Sequence, residues 1–289
     1  MANVLITGAT GNVGSTVISA LVSLPHHLNL FAGVRNISES AKTGDYNNVK
    51  PVSFDFTDPA NAKNALQHCD ILFLLRPPQL SEVNKYFKPI VDGCVETGVK
   101  HIVFLSVQGV EKSKIIPHHK IEKLITDSKI PYTFLRPAYF MQNFTTTLHA
   151  DLVSKNCIYL PAGNAKFTLI DVRDIGLVAA KIITNTAAHI NKSYELTCNQ
   201  KLSFTEMAAL LTKGLGIPVR FISPDLFRFF ITKRREKIPV MLILVMIMLH
   251  YLPRFQKEPL ITGWVKKLTG SDPVTFQQFI HDNKSLLIK

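Results

Sequence analysis

The chain has 289 residues, 46% of them hydrophobic, which is enough for one large domain or a domain with a smaller lobe. Its formal charge is +12, yet the basic residues are spread along the chain with no nucleic-acid-binding motif. The reading therefore excludes a nucleic-acid partner and keeps an anionic cofactor or an acidic membrane surface. The four cysteines, Cys69, Cys94, Cys157 and Cys198, are scattered; they suit reduced thiols in a cytoplasm and offer no metal-ligand spacing, so no metal is expected. The pairs His26-His27 and His118-His119 also lack the i, i+4 spacing of a zinc helix. No signal-peptide pattern precedes the first expected strand.

Val4-Leu5-Ile6 reads as that strand. Gly8, Gly11 and Gly14 follow, and then Val17, Ile18, Leu21 and Val22 at helical spacing. Strand, tight turn and helix in this order open a dinucleotide-binding fold. Gly8 turns sharply out of the strand, Gly11 lets a pyrophosphate approach the backbone, and Gly14 lets the helix lie close on the sheet. Free amides and the helix dipole favour the phosphates. The spacing is G-x-x-G-x-x-G, not the commoner G-x-G-x-x-G. Gly8, Thr10, Gly11, Asn12, Val13 and Gly14 are the expected loop residues.

Further strands are expected at 28–34, 52–56, 71–75, 101–106 and 132–136, alternating with helices at 60–67, 83–97 and 118–128. This alternation predicts an α/β, Rossmann-type doubly wound parallel sheet with right-handed crossovers. The pattern then loosens, with a helix at 139–155, extended pieces at 157–161 and 167–170, and a helix from Asp171 to Ile183. A strand at 193–197, a helix at 204–214 and a strand at 219–223 follow, and the remainder is mostly helical. The expected division is a dinucleotide-binding domain over 1–138, to which 167–198 returns, and a smaller C-terminal substrate lobe from 139–166 and 199–289. The apolar run 240–249 is shorter than the ~20 residues of a membrane span. It reads as a buried helix, as a Met-lined pocket wall, or, with the basic cluster 233–237, as a surface touching lipid.

An acidic residue about 20 positions beyond the glycines usually binds the ribose hydroxyls of NAD. Here the second strand ends Gly33-Val34-Arg35-Asn36, without a carboxylate. A guanidinium at Arg35 can grip a 2′-phosphate in a two-point fork, so NADP(H) is expected in preference to NAD(H); the alternative is an arginine that faces solvent. Asp55 is placed to meet the adenine amino group. Leu75 and Arg76, at the end of the fourth strand, are placed to line the ribose and pyrophosphate.

Together these pieces resemble the NmrA-like group of atypical short-chain dehydrogenases over nearly the whole length. The residues carrying the resemblance are Ile6-Thr7-Gly8-Ala9-Thr10-Gly11-Asn12-Val13-Gly14, Ile130-Pro131-Tyr132-Thr133-Phe134-Leu135-Arg136-Pro137 and Tyr139-Phe140-Met141-Gln142-Asn143-Phe144. Asp171-Val172-Arg173-Asp174-Ile175-Gly176, Tyr194-Glu195-Leu196-Thr197, and Leu268-Thr269-Gly270 with Pro273 and Phe276-Gln277-Gln278-Phe279 are similar to later landmarks of the group. The group includes NAD(P)H-dependent quinone and dye reductases and also NADP-sensing regulators.

Ordinary short-chain dehydrogenases use a serine after the fifth strand and a Tyr-x-x-x-Lys on the next helix. Ser106 keeps the serine position. The one Tyr-x-x-x-Lys, Tyr46 to Lys50, precedes the third strand and reads as chance. The helix after the fifth strand instead carries His118 and, four residues on, Glu122 on the same face. The resemblance implies that His118 takes the place of the catalytic lysine in isoflavone-reductase-like enzymes, bonding the nicotinamide ribose or helping to protonate product. The plain alternative is a surface histidine, and Glu122 either orients it or faces solvent. Without a tyrosine acid the expected reaction is hydride transfer from NADPH to a small hydrophobic, electron-poor acceptor such as a quinone, with Tyr139, Phe140 and Asn143 lining its slot. The rival expectation is a non-catalytic NADP(H) sensor acting through protein contacts.

Overall fold

The computed structural model describes residues 1–37 and 48–288. Tyr46 lies outside the described residues. The chain runs through β1 (Ala2–Ile6), α1 (Asn12–Ser23), β2 (Leu28–Val34), β3 (Val49–Ser53), α2 (Pro59–Leu66) and β4 (Ile71–Leu75). It continues through α3 (Val83–Tyr86), α4 (Lys88–Thr97), β5 (His101–Leu105), α5 (Pro117–Asp127) and β6 (Tyr132–Pro137). These elements belong to a first compact unit made of Met1–Ala138, Val172–Leu196 and Trp264–Asp272.

The sheet of this unit has the order β3-β2-β1-β4-β5-β6 and a seventh strand beside β6. Every pairing is parallel. Strands buried on both faces are continuous apolar runs; β4 (Ile-Leu-Phe-Leu-Leu) reads that way, and so does β5 after His101 (Ile-Val-Phe-Leu). β3 is the edge strand and starts three residues earlier than the spacing predicts. Its Pro51 sits opposite Ala32, a position tolerated because an edge strand need not donate on both sides. The predicted helix 83–97 is divided at Phe87, since Pro89 at the start of α4 removes a backbone donor. Asp58 starts α2 by accepting from the amides of Ala60 and Asn61. The core gathers Leu72, Leu74, Phe87, Ile90, Ile102, Phe104, Ile121 and Ile125.

The second unit comprises Tyr139–Asp171, Thr197–Gly263 and Pro273–Lys289. Its first stretch holds β7 (Tyr139–Phe140), α6 (His149–Lys155), β8 (Cys157–Tyr159) and β9 (Lys166–Ile170). The single helix predicted for 139–155 does not form. Thr145, Thr146 and Thr147 form a β-branched run, and the hydroxyls of Thr145 and Thr146 bond back to the Gln142 carbonyl, competing with the helix ladder. The chain returns to the first unit with α7 (Val172–Thr184) and β10 (Lys192–Leu196), the seventh strand of its sheet.

It goes back to the second unit for β11 (Lys201–Ser203), α8 (Phe204–Leu215), β12 (Arg220–Ile222), α9 (Leu226–Arg235) and α10 (Val240–Tyr251). Then α11 (Trp264–Thr269) rejoins the first unit, and α12 (Phe276–Asp282) and α13 (Lys284–Leu287) close the second. The sheets of the second unit are β11-β9-β7 and β12-β8. Ser203 and Glu206 form a reciprocal capping box at the start of α8. Relative to the predicted lobes, β9 pairs with β7 and β11 within the second unit, and 264–272 belongs to the first.

Candidate functional site

The strand order reverses between β1 and β4, and in open parallel sheets ligands sit beyond the carboxyl ends of the strands at such a point. Thr7 ties the two strand ends together. Its amide and hydroxyl both donate to the Phe73 carbonyl at 3.0 Å, and its hydroxyl accepts from the Leu75 amide at 3.1 Å. Gly8 then turns with φ +61°, a conformation open to glycine at little cost. A Cβ on Gly14 would stand 2.2 Å from the Gly8 carbonyl oxygen, so α1 starts in backbone contact with the turn. Gly11 caps α1 without a side-chain bond, and the first turn carries no acidic residue. Among the described residues no side chain caps the first amides of α1, which lie at the positive end of its dipole. Thr10, Gly11 and Asn12 are exposed there, while Val13 and Gly14 are buried.

Arg35 is exposed immediately beyond β2. The Asp55 carboxylate is held below its usual range first by the Thr57 amide at 2.8 Å, then by the Thr57 hydroxyl at 2.7 Å, with a smaller pull from the Arg35 guanidinium. Leu75 lies over Gly8, where an added Cβ would come within 2.7 Å of its Cδ2. Arg76 turns back on its own loop: one terminal nitrogen donates to the carbonyls of Pro77, Pro78 and Leu80. Its Nε donates to Nε2 of His118 over a long 3.4 Å.

Structure thus brings Arg76 and His118 together. Burial, and secondly the Arg76 charge, pull the His118 imidazole down to about 3, so it is neutral at physiological pH. With Nε2 accepting, the neutral ring carries its proton on Nδ1. Ser106 follows β5 and is 2% exposed; its Oγ is the one buried side-chain oxygen without a hydrogen-bond partner among the described residues. A buried hydroxyl in that state calls for an explanation, and a ligand is one.

Glu122 neither orients His118 nor faces solvent. It is 7% exposed and receives a two-point bond from Arg136, Nε to Oε1 at 3.0 Å and the terminal nitrogen to Oε2 at 2.7 Å. The reading of Glu122 as a partner of the histidine is therefore corrected: the guanidinium on β6 outcompetes a neutral imidazole for a carboxylate. Glu111 stands 3.5 Å from the same arginine.

In the second unit, the Tyr139 ring packs on Phe167, Phe204 and His250. His250 donates from Nδ1 to the Met246 carbonyl at 2.6 Å, so its Nε2 accepts from the Tyr139 hydroxyl at 3.1 Å. Burial pushes the Tyr139 phenol well up and the His250 imidazole down to about 4, so both are neutral. Phe140 and Asn143 are half-buried. Sequence reasoning missed Thr7, Arg136 and His250. The signal for His250 was present, as a lone imidazole closing an otherwise apolar helix.

The NmrA-like family model matches residues 1–250. The chain belongs to the NmrA-like family. This NmrA-like chain is 28% identical over 291 aligned residues to the Prestalk A differentiation protein A of Dictyostelium discoideum, across 98% of this chain and 93% of that one. It is 27% identical over 282 residues to the NAD(P)H azoreductase of Xenophilus azovorans, across 96% of each. Its fold matches the triphenylmethane reductase of Citrobacter sp., solved with NADP(H), at a TM-score of 0.84 and 24% identity, over 98% of this chain and 100% of that one.

Proposed function

We propose that this NmrA-like chain is an NADPH-dependent oxidoreductase that reduces a hydrophobic, electron-poor acceptor such as a quinone. The observation carrying the proposal is the glycine turn, with Gly14 pressed on the Gly8 carbonyl and the start of α1 left without a side-chain cap. This cradle suits a diphosphate, because backbone amides are presented and no side chain fills the approach. The exposed Arg35 supports selection of a 2′-phosphate, and the partnerless Ser106 hydroxyl supports a ligand oxygen nearby. The naming of relatives as an azoreductase and a dye reductase points the same way.

When bound, the cofactor supplies a hydride. In the proposed arrangement the first amides of α1 and the loop residues Thr10, Asn12 and Val13 hold the diphosphate. Arg35 grips the 2′-phosphate, Asp55 accepts from the adenine amino group, and Leu75 with Arg76 borders the ribose. Ser106 donates to a ligand oxygen, and neutral His118 retains an Nδ1 proton for a hydrogen bond.

The proton donors limit the acceptor. Tyr139 gives its proton to His250, Glu122 is engaged by Arg136, and His118 is neutral. Reducing a simple ketone builds a strongly basic alkoxide that needs a positioned acid. Reducing a quinone builds a stabilised anion that water can protonate, so positioning of the two rings carries the rate. Calorimetry with NADPH, NADP⁺ and NADH, followed by stopped-flow NADPH oxidation with a panel of quinones, tests the proposal. Tight NADPH binding and acceptor-dependent oxidation are expected. Binding without oxidation by any acceptor overturns the enzyme and leaves a cofactor sensor.

A further inference from the structure

The apolar run in α10 is not buried. One stripe, Ile243, Met246 and His250 with the half-buried Ile247, packs into the second unit. On the opposite side of the helix, Met241, Leu244, Val245 and Met248 recur at i, i+3, i+4 and i+7, and all are exposed, Met241 by 71%; Leu252, just past the helix, is exposed too. A helix apolar on both faces is normally covered on both. Here one face meets its own core and the other meets solvent.

Cations flank both ends of this face. Before α10, the end of α9 carries exposed Arg234 and Arg235, and exposed Lys237 follows it. None of the three forms an ion pair among the described residues. Lys233 is different: it is buried against Asp151 and also meets Glu236 at 2.8 Å, so it anchors α9 and is not part of the free charge. Glu236 is likewise engaged, by Lys155 at 2.6 Å. After α10, Arg254 lies over the rings of Tyr251 and Phe255 at 4.9 and 5.9 Å, and Lys257 is exposed beside them. Phe255 is itself 71% exposed. Apolar centre, aromatic rings and cations at the margins are the elements of an interfacial helix.

We propose that the outer face of α10 docks this protein on an anionic lipid surface, the helix lying in the plane of the membrane. Its 12 residues span about 18 Å, short of the ~30 Å hydrocarbon core. No helix among the described residues is long and apolar enough to cross a membrane. A second copy of the chain is the poorer occupant. A two-fold contact centred on α10 would bring the same cationic flanks of both copies to one seam, whereas acidic headgroups neutralise them. The inference is independent of the proposed reaction.

The experiment is flotation of the full chain with vesicles of phosphatidylcholine alone or with about 30% phosphatidylserine. The protein should float with the acidic vesicles at least about tenfold more than with the neutral ones, and about 0.5 M salt should release most of it. Met241→Glu with Leu244→Glu and Met248→Glu should abolish flotation, and Arg234→Glu with Arg235→Glu should weaken it about tenfold. Circular dichroism of each variant should match the parent, because the altered residues are exposed. Equal recovery with both vesicle types, or flotation that survives the triple substitution, overturns the proposal. So does a dimer in sedimentation analysis that the triple substitution converts to monomer.

Discussion

The guanidinium of Arg76 and the imidazole of His118 face each other through Nε and Nε2 at 3.4 Å, although 42 residues separate them in the chain. Burial first, and the Arg76 charge second, hold the histidine neutral. A cation on one side and burial on the other hold its pKa at about 3, far below the usual imidazole range. Between about pH 5 and 8 the ring stays neutral in the folded protein. The kcat/KM of NADPH oxidation should therefore show no inflection from His118 over that interval. An inflection near pH 6.5 that disappears in His118→Asn would show instead that the histidine works as a cationic acid.

Gly14 and Gly11 should separate folding from binding. In Gly14→Ala the new methyl meets the Gly8 carbonyl at 2.2 Å, backbone against backbone, with no side chain able to yield. We expect about 3 kcal/mol lost in denaturant unfolding. In Gly11→Ala the nearest atom is the same carbonyl oxygen at 3.3 Å, so stability should change by less than about 1 kcal/mol while NADPH affinity drops. Equal stability losses in the two variants would contradict this division.

Arg35→Asp replaces the exposed cation beyond β2 with a carboxylate beside Asp55. Loss of a charge-assisted bond to a 2′-phosphate should weaken NADPH about 10- to 100-fold by calorimetry and leave NADH within a few-fold. An undiminished preference for NADPH would remove Arg35 from the cofactor site.

Glu122→Gln removes the two-point partner of Arg136 and leaves it the half-exposed Glu111 at 3.5 Å and the more distant charge of Glu195. Breaking a buried two-point pair from one side should cost about 3 kcal/mol of stability, with kcat little altered. Replacing both residues by methionine should recover most of that loss, because neither charge is then left unpaired. A variant that keeps its stability but loses kcat would return Glu122 to the histidine.

His250 makes stability depend on pH in a defined direction. Burial lowers its pKa from 6.5 to about 4 in the folded protein. Above pH 6.5 both folded and unfolded chains hold the neutral ring and its contribution is complete. As pH falls toward 4, the unfolded chain takes up a proton that the folded one refuses, so stability declines, by about 2 kcal/mol at pH 5. In His250→Gln, urea unfolding should show a shallower slope with pH by about one proton over this range.

The sheet was legible because strands covered on both faces must be apolar end to end. Residues 71–75 carry that mark and fold where the pattern put them. The glycine turn was legible for a similar reason, since few residues other than glycine can follow the path of Gly8 or sit against the backbone at Gly14. Elements shaped by competition were not. β11 has three residues and exists by pairing with β9, which no local propensity announces. The Glu122–Arg136 and Tyr139–His250 pairs join α5 to β6 and β7 to α10, so their partners appear only after the elements assemble. A periodic pattern also says which faces of α10 are apolar without saying that one of them lacks a cover.

The polypeptide passes between its two units five times, at 138–139, 171–172, 196–197, 263–264 and 272–273. Neither unit is a continuous stretch of gene product. Ending the chain before Trp264 would remove not only the closing helices but also a ring that meets Tyr194 of the seventh strand edge to face. An excised amino-terminal fragment would thus lack parts of its own scaffold, and ribosomal synthesis has to approach the last residues before either half can be finished.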